Sequence, residues 1–170
     1  MKKKFIDLYM NMAQSISQLS SAVRLKVGTV IVKDNVVTFG YNGTPSGWDN
    51  NCEDRIWDTG SGPYLTQEEF DATYPYESWH DHAERVVRYG LKTKPEVLHS
   101  EANALMKIAK STISSEGATL FCTHAPCIDC AKMIHQAGIF TVYYRDTYKN
   151  ELGLEFLTKS GVNVTKYSGE

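Results

Sequence analysis

The sequence has few cysteines, little proline and no charge excess of either sign. Four cysteines in 170 residues are too few for the disulfide framework of a small secreted domain. Lys and Arg total 18 against 20 Asp and Glu, for a net charge of −2. That balance gives no overall electrostatic footprint for duplex nucleic acid or an anionic membrane, although a local basic patch is compatible with it. No apolar run approaches the roughly 20 residues that span a bilayer. The basic start Met1–Lys4 leads into Asp7, Asn11 and Gln14 rather than an apolar stretch, so no secretory signal is expected. These absences point to a reducing compartment: the cytoplasm, or the host cytoplasm for a viral source. Internal repeats and low-complexity segments are missing too.

What is present is globular. An apolar fraction of 42% argues against disorder. At ~100–200 residues per domain, residues 1–170 make a single domain. Phe5, Tyr9, Met12, Ile16 and Leu19 form one helical stripe. Val27–Val32 and Val36–Tyr41 read as strands joined by the turn Lys33-Asp34-Asn35, a hairpin, and the loop Asn42–Gly47 follows. Residues 100–110 carry helical spacing, Ala118–Thr123 reads as a strand, and Cys127–Ala137 as a helix stopped by Gly138. Ile139–Arg145 (strand), 149–159 (helix) and Val162–Tyr167 (strand) complete the chain. Alternating strands and helices imply a sheet covered by helices. Residues 48–98 hold all three tryptophans and three prolines. They read as an irregular insertion, at about 53–96, with helical patches over 66–73 and 80–91.

The four cysteines are Cys52, Cys122, Cys127 and Cys130, and five histidines accompany them. His99-Ser100-Glu101 opens one helix, and Pro126-Cys127-Ile128-Asp129-Cys130 opens another. Zinc takes imidazole nitrogen and thiolate sulfur, and three protein ligands leave a fourth position for water. A C-x-x-C at a helix start brings two sulfurs toward one point, where the helix N-terminus favours thiolate. Pro126 fits there because its missing N–H costs nothing. Glu101, two residues past His99, is better placed to touch a bound water than the metal. Two thiolates and a neutral imidazole make a formally neutral zinc centre, which acidifies water less than an all-His one. A carboxylate that takes the proton then makes sense. Other readings stay open on these residues alone: a thioredoxin-like redox pair, two buried small hydrophobes, or a closed structural zinc completed by Cys122, Cys52 or another His.

H-x-E followed by P-C-x-x-C is far more specific than either half and is the signature of zinc nucleobase deaminases. His99-Ser-Glu-Ala-Asn-Ala104 with Pro126-Cys-Ile-Asp-Cys130 resembles the cytidine and deoxycytidylate deaminase superfamily. Val27-Gly-Thr-Val-Ile-Val, Gly40-Tyr-Asn-Gly-Thr-Pro45, Asn103-Ala104, and Gly117-Ala-Thr-Leu before Phe121-Cys-Thr narrow the resemblance to deoxycytidylate (dCMP) deaminases. It covers about residues 5–50 and 97–167.

The resemblance implies a three-layer α/β/α sandwich with a mixed central sheet and hydrolysis of dCMP to dUMP and ammonia. It also implies zinc on His99, Cys127 and Cys130, with Glu101 as acid–base. Backbone N–H groups of Ala102 and Cys127 would hold the pyrimidine, and Asn42 would meet the sugar hydroxyl. Arg24 and Lys26 are the first candidates for the phosphate, with Thr123, His124 and Arg145 weaker ones. Tyr41, Gly43, Thr44 and Pro45 mark a loop for dCTP or dTTP effectors, with Mg2+ accompanying a triphosphate, in a hexamer. Cys52, His80 and His82, with Glu96, are candidates for a second zinc. Ser20 and Ser21 stand where some relatives place cysteine, which weakens that second site. Competing readings are a tRNA adenosine deaminase, a free cytidine deaminase, a non-catalytic zinc or nucleotide-binding domain, and a redox protein.

Overall fold

The computed structural model describes residues 1–58, 64–80, 85–148 and 150–169. In chain order the helices are α1 (Lys3–Ser17), α2 (Gln67–Thr73), α3 (Ser100–Ala109), α4 (Ile128–Gln136) and α5 (Leu152–Lys159). The strands are β1 (Gly28–Lys33), β2 (Val36–Tyr41), β3 (Glu53–Trp57), β4 (Tyr76–His80), β5 (Arg85–Thr93), β6 (Thr119–His124), β7 (Thr141–Asp146) and β8 (Asn163–Lys166). None of the described helices is long and apolar enough to cross a membrane.

The central sheet has the order β2-β1-β6-β7-β8. β1 is antiparallel to both β2 and β6, while β6, β7 and β8 run parallel. The hairpin turn is built from Asp34 and Asn35, both at positive φ (49° and 64°). Asp and Asn tolerate that conformation, and it matches the twist of the flanking strands.

Side chains alternate across this sheet with period 2, and the alternation makes the layers. Ile31, Leu120, Cys122 and Val142 face α3, α4 and α5 through Ala104, Leu105, Ala131, Ile134 and Leu157. Their neighbours Val30, Val32 and Phe121 face α1 through Tyr9, Met10 and Ala13. The result is the expected three-layer sandwich with a mixed sheet. Antiparallel pairing places the start of β1, the end of β2 and the end of β6 on one edge: Gly28 lies opposite Tyr41, and Thr29 opposite Cys122. The site forms at that edge.

The insertion differs from expectation. Its described part is an antiparallel sheet of order β3-β5-β4, with α2 packed beside it. The patch at 66–73 is helical, and Thr66 and Glu69 close a capping box. The patch at 80–91 is not, since residues 85–93 are the central strand β5. Both edges of β5 are hydrogen-bonded, to β3 and to β4. One face carries Val87, Tyr89 and Leu91, and Gly90 faces the opposite way. A Cβ on Gly90 would sit 2.3 Å from the Thr73 carbonyl, so the end of α2 lies directly on the strand. Tertiary pairing has overridden the short apolar run.

Candidate metal centre and active site

His99 is the N-cap of α3 and Cys127 the N-cap of α4. Their carbonyls accept the first helical bonds, from Asn103 and Ala131, both at 2.9 Å. Neither side chain caps its own helix. His99 Nδ1 lies 3.5 Å from Cys127 Sγ and 3.4 Å from Cys130 Sγ. Among the described residues, His99, Cys127 and Cys130 are the three metal-ligating side chains drawn together, with all ligand atoms within 4.8 Å of one another. Tetrahedral zinc, with Zn–S near 2.3 Å and Zn–N near 2.0–2.1 Å, calls for N···S separations of about 3.5 Å. The three donors therefore fit zinc.

The two thiols are shifted in opposite directions. A hydrogen bond from the Cys130 thiol lowers Cys127 to about 4, and the same bond, with burial, pushes Cys130 up. The bond to Cys127 also pulls His99 upward. Zinc binding would release any thiol proton, since thiolate is its ligand.

Close backbone contacts hold the two helix ends together. A Cβ on Gly40 would fall 2.3 Å from the Ser100 carbonyl, so β2 packs directly on the first turn of α3. A Cβ on Gly153 would fall 2.0 Å from the Pro126 carbonyl, which brings α5 onto the start of α4. Gly43 and Leu98 exchange backbone bonds of 3.1 and 2.9 Å just before His99. Asn103 Nδ2 donates to the Tyr41 carbonyl at 3.0 Å.

Glu101 sits in the first turn of α3 and is 4% exposed. Burial pushes its carboxyl above the usual carboxylate range, and a hydrogen bond from Ser100 Oγ (2.9 Å) pulls the other way. With His99 and Cys127 it borders a cavity of about 230 Å³. Arg24, Glu53 and Thr93 line another part of that cavity, and Asn42, His124 and Tyr148 also line it.

The remaining expected residues divide. Asn42 accepts from Val27 N (2.7 Å) and donates to the Leu25 carbonyl (2.8 Å). It thereby anchors the segment before β1 and still keeps one N–H and one lone pair. Arg24 reaches the cavity with Nη1 donating to Thr93 Oγ1 at 3.0 Å. Lys26 is exposed and is not among the cavity's lining residues. One residue, Leu25, separates them, and of these two exposed cations only Arg24 lines the cavity. Thr123 is buried and accepts from Gly28 N (3.2 Å). His124 lies at the cavity wall. Arg145 is turned away, bound to Asp146 (2.9 and 2.8 Å) and to Gln14 on α1. Ala102 follows Glu101 in the first turn of α3, where backbone N–H groups lack helical partners.

In the loop, Tyr41 ends β2, Thr44 Oγ1 donates to the Asp49 carbonyl (2.5 Å), and Pro45 accepts from Trp48 N (3.1 Å). Cys122 is a buried β6 residue, as expected. Cys52 is buried with Ala22 and Val97, its sulfur 3.5 Å from Ser21 Oγ. No other described ligand group gathers around it. His80 ends β4, and His82 lies outside the described residues.

Sequence reasoning missed Glu53, Thr93 and Tyr148 at the cavity. Glu53 accepts from the backbone N–H of Val23 and Arg24 (3.1 and 3.2 Å), which shapes the segment bearing Arg24. No local signal marks it, because its partners are 29 and 30 residues away. Thr29 and Ser100 were also missed, and they did have a signal: a Thr inside an apolar strand must find a polar partner.

Purified protein is expected to retain zinc, and Cys130→Ser is expected to lose it. Loss of even an outer hydrogen-bond partner typically costs about 10–100-fold in metal affinity, and loss of a direct ligand is expected to cost at least that. Competition with a chromophoric chelator measures it.

A protein-family profile described as the cytidine and deoxycytidylate deaminase zinc-binding region matches residues 3–146. The deoxycytidylate deaminase of Enterobacteria phage T4 is 32% identical over 168 residues, covering 91% of this chain and 86% of that protein. ComE operon protein 2 of Bacillus subtilis is 33% identical over 157 residues, covering 90% and 67%. The crystal structure of dCMP deaminase from cyanophage S-TIM5, in complex with dCMP and dUMP, superposes with a TM-score of 0.74 at 38% identity, covering 98% of this chain and 99% of that one. The His/Cys/Cys centre, the fold around it and these similarities agree: the chain belongs to the cytidine and deoxycytidylate deaminase family.

Proposed function

We propose that this protein catalyses the zinc-dependent hydrolytic deamination of dCMP to dUMP and ammonia, supplying dUMP for thymidylate synthesis. The observation that carries the reading is the buried Glu101 carboxylate beside a His99/Cys127/Cys130 centre, in one cavity with Arg24. The likeness to the cyanophage enzyme solved with dCMP and dUMP supports the choice of nucleotide.

Zinc on these three side chains would leave one coordination position for water and lower that water's pKa. Glu101 then does the proton work. It takes one proton from the attacking water and passes it to N3, then takes the second from the hydroxyl formed on C4 and passes it to the 4-amino group, so that ammonia leaves as the C4 carbonyl forms. Burial suits it to this task, because a carboxyl raised above its usual range is a stronger base toward the water proton and lies closer to the operating pH, where one group can serve as both base and acid. Backbone N–H groups of Ala102 and Cys127 donate to the pyrimidine, and Asn42 offers its spare amide valences to the sugar. Arg24 holds the phosphate, and Lys26 adds only long-range attraction.

The same reading extends to regulation: dCTP with Mg2+ activates a hexamer and dTTP inhibits it, through the Tyr41–Pro45 loop. Support comes from the Gly43–Leu98 bridge, which joins that loop to the residue before His99. Metal analysis is expected to give one zinc per chain, whereas two would assign Cys52 to a second centre.

Glu101→Gln is expected to keep zinc and lose at least ~10²-fold in kcat, the low end for general acid–base catalysis. An absorbance assay on dCMP with parallel metal analysis checks it, and a near wild-type rate contradicts the role. In the same assay Arg24→Glu is expected to raise KM for dCMP far more than Lys26→Glu. Equal effects would place the phosphate elsewhere. Comparison of dCMP, CMP, deoxycytidine and a tRNA substrate, with and without dCTP and dTTP, separates this function from the other deaminases. Sigmoidal kinetics made worse by dTTP are expected.

A further inference from the structure

Four polar groups run in a line from the central sheet to Glu101, and three of them have no part in the chemistry above. Cys122 Sγ on β6 lies 3.3 Å from Thr29 Oγ1 on β1. Thr29 Oγ1 lies 2.7 Å from Ser100 Oγ, and Ser100 Oγ donates to Glu101 Oε2 at 2.9 Å. Cys122, Thr29 and Ser100 are all fully shielded from solvent.

Counting hydrogens fixes the direction of the line. Ser100 has one hydroxyl hydrogen, and the carboxylate takes it. The short contact to Thr29 must then be filled by the Thr29 hydrogen. That leaves Thr29 Oγ1 as an acceptor toward Cys122, whose S–H is the only hydrogen left to fill the contact. Burial keeps that thiol protonated. The opposite direction would have to end on the thiol sulfur, a weak acceptor. The line therefore has one stable polarity, from thiol to carboxylate.

We infer that Cys122, Thr29 and Ser100 form a one-way hydrogen-bond relay that pins Glu101 Oε2 as a standing acceptor and leaves Oε1 as the oxygen that exchanges protons with water and substrate. Ser100 and Thr29 are then positioning residues. They act through Glu101, and they set which carboxylate oxygen faces the chemistry and at what angle. A carboxylate that must protonate two different atoms in one cycle gains from such a fixed hinge. The inference rests on the deaminase reading and adds to it a use for a Thr and a Ser in an otherwise apolar layer.

The test uses the full-length, zinc-loaded protein with dCMP. Ser100→Ala is expected to lower kcat about 10-fold or more, the rate equivalent of one hydrogen bond to a charged group, with KM and bound zinc unchanged. Thr29→Val, which keeps the shape but not the hydroxyl, is expected to lower kcat about 3-fold or more, and Thr29→Ser to restore it. In the double variant, Thr29→Val is expected to add nothing to Ser100→Ala, because the line is already cut. Wild-type kcat in Ser100→Ala, equal rates in Thr29→Val and Thr29→Ser, full additivity in the double variant, or loss of zinc along with kcat would each overturn the relay. Wild-type protein inert on dCMP would instead overturn the deaminase reading, and the relay's catalytic meaning with it.

Discussion

Two helix N-termini pointed at one spot are a constraint that the rest of the molecule has to satisfy. Each brings unpaired N–H groups and about half a positive charge. Left empty, the two ends would repel. His99 and Cys127 occupy the N-cap positions without capping, so their side chains turn to the gap between the helices. Thiolate and carboxylate there would supply the negative charge that both ends favour, and a divalent cation would balance the thiolates. Gly40 and Gly153 matter for the same reason. Each sits where any side chain would strike the backbone beside a ligand, so each sets how closely an outer element can press the helix starts together.

The substrate side of the cavity is made differently. Its wall comes from the segment before β1 and from the insertion. Glu53, at the start of β3, takes the backbone N–H groups of Val23 and Arg24 on its carboxylate, and Thr93, at the end of β5, takes the Arg24 guanidinium. The two are register partners in the small sheet, so one pair of facing residues fixes both contacts. The small sheet is thus part of the site and not an appendage to it.

This division explains what could be read from the sequence. His99, Glu101, Cys127 and Cys130 lie within two short motifs at helix starts, so spacing made them candidates and the resemblance gave each its expected role. The central sheet was legible because its strands are apolar and bounded by turn residues. The cavity wall was not legible, since its contacts join residues 29 to 69 positions apart with no local pattern. Arg24 and Lys26 looked alike in the sequence, and only the contact of Arg24 with Thr93, 69 positions away, draws one of them to the cavity. β5 looked helical because a short apolar run with one Gly does not declare its period. Thr29 and Ser100 were readable in principle, as polar residues where the pattern demanded apolar ones.

The central claim is that the convergent helix ends hold an open, three-ligand zinc. X-ray absorption at the zinc edge of the purified protein tests it most directly. The account predicts two sulfurs near 2.3 Å, one nitrogen near 2.0–2.1 Å and one light-atom ligand exchangeable with solvent. A shell filled by four protein side chains, with a third sulfur or a second imidazole, would make the centre structural and contradict the account.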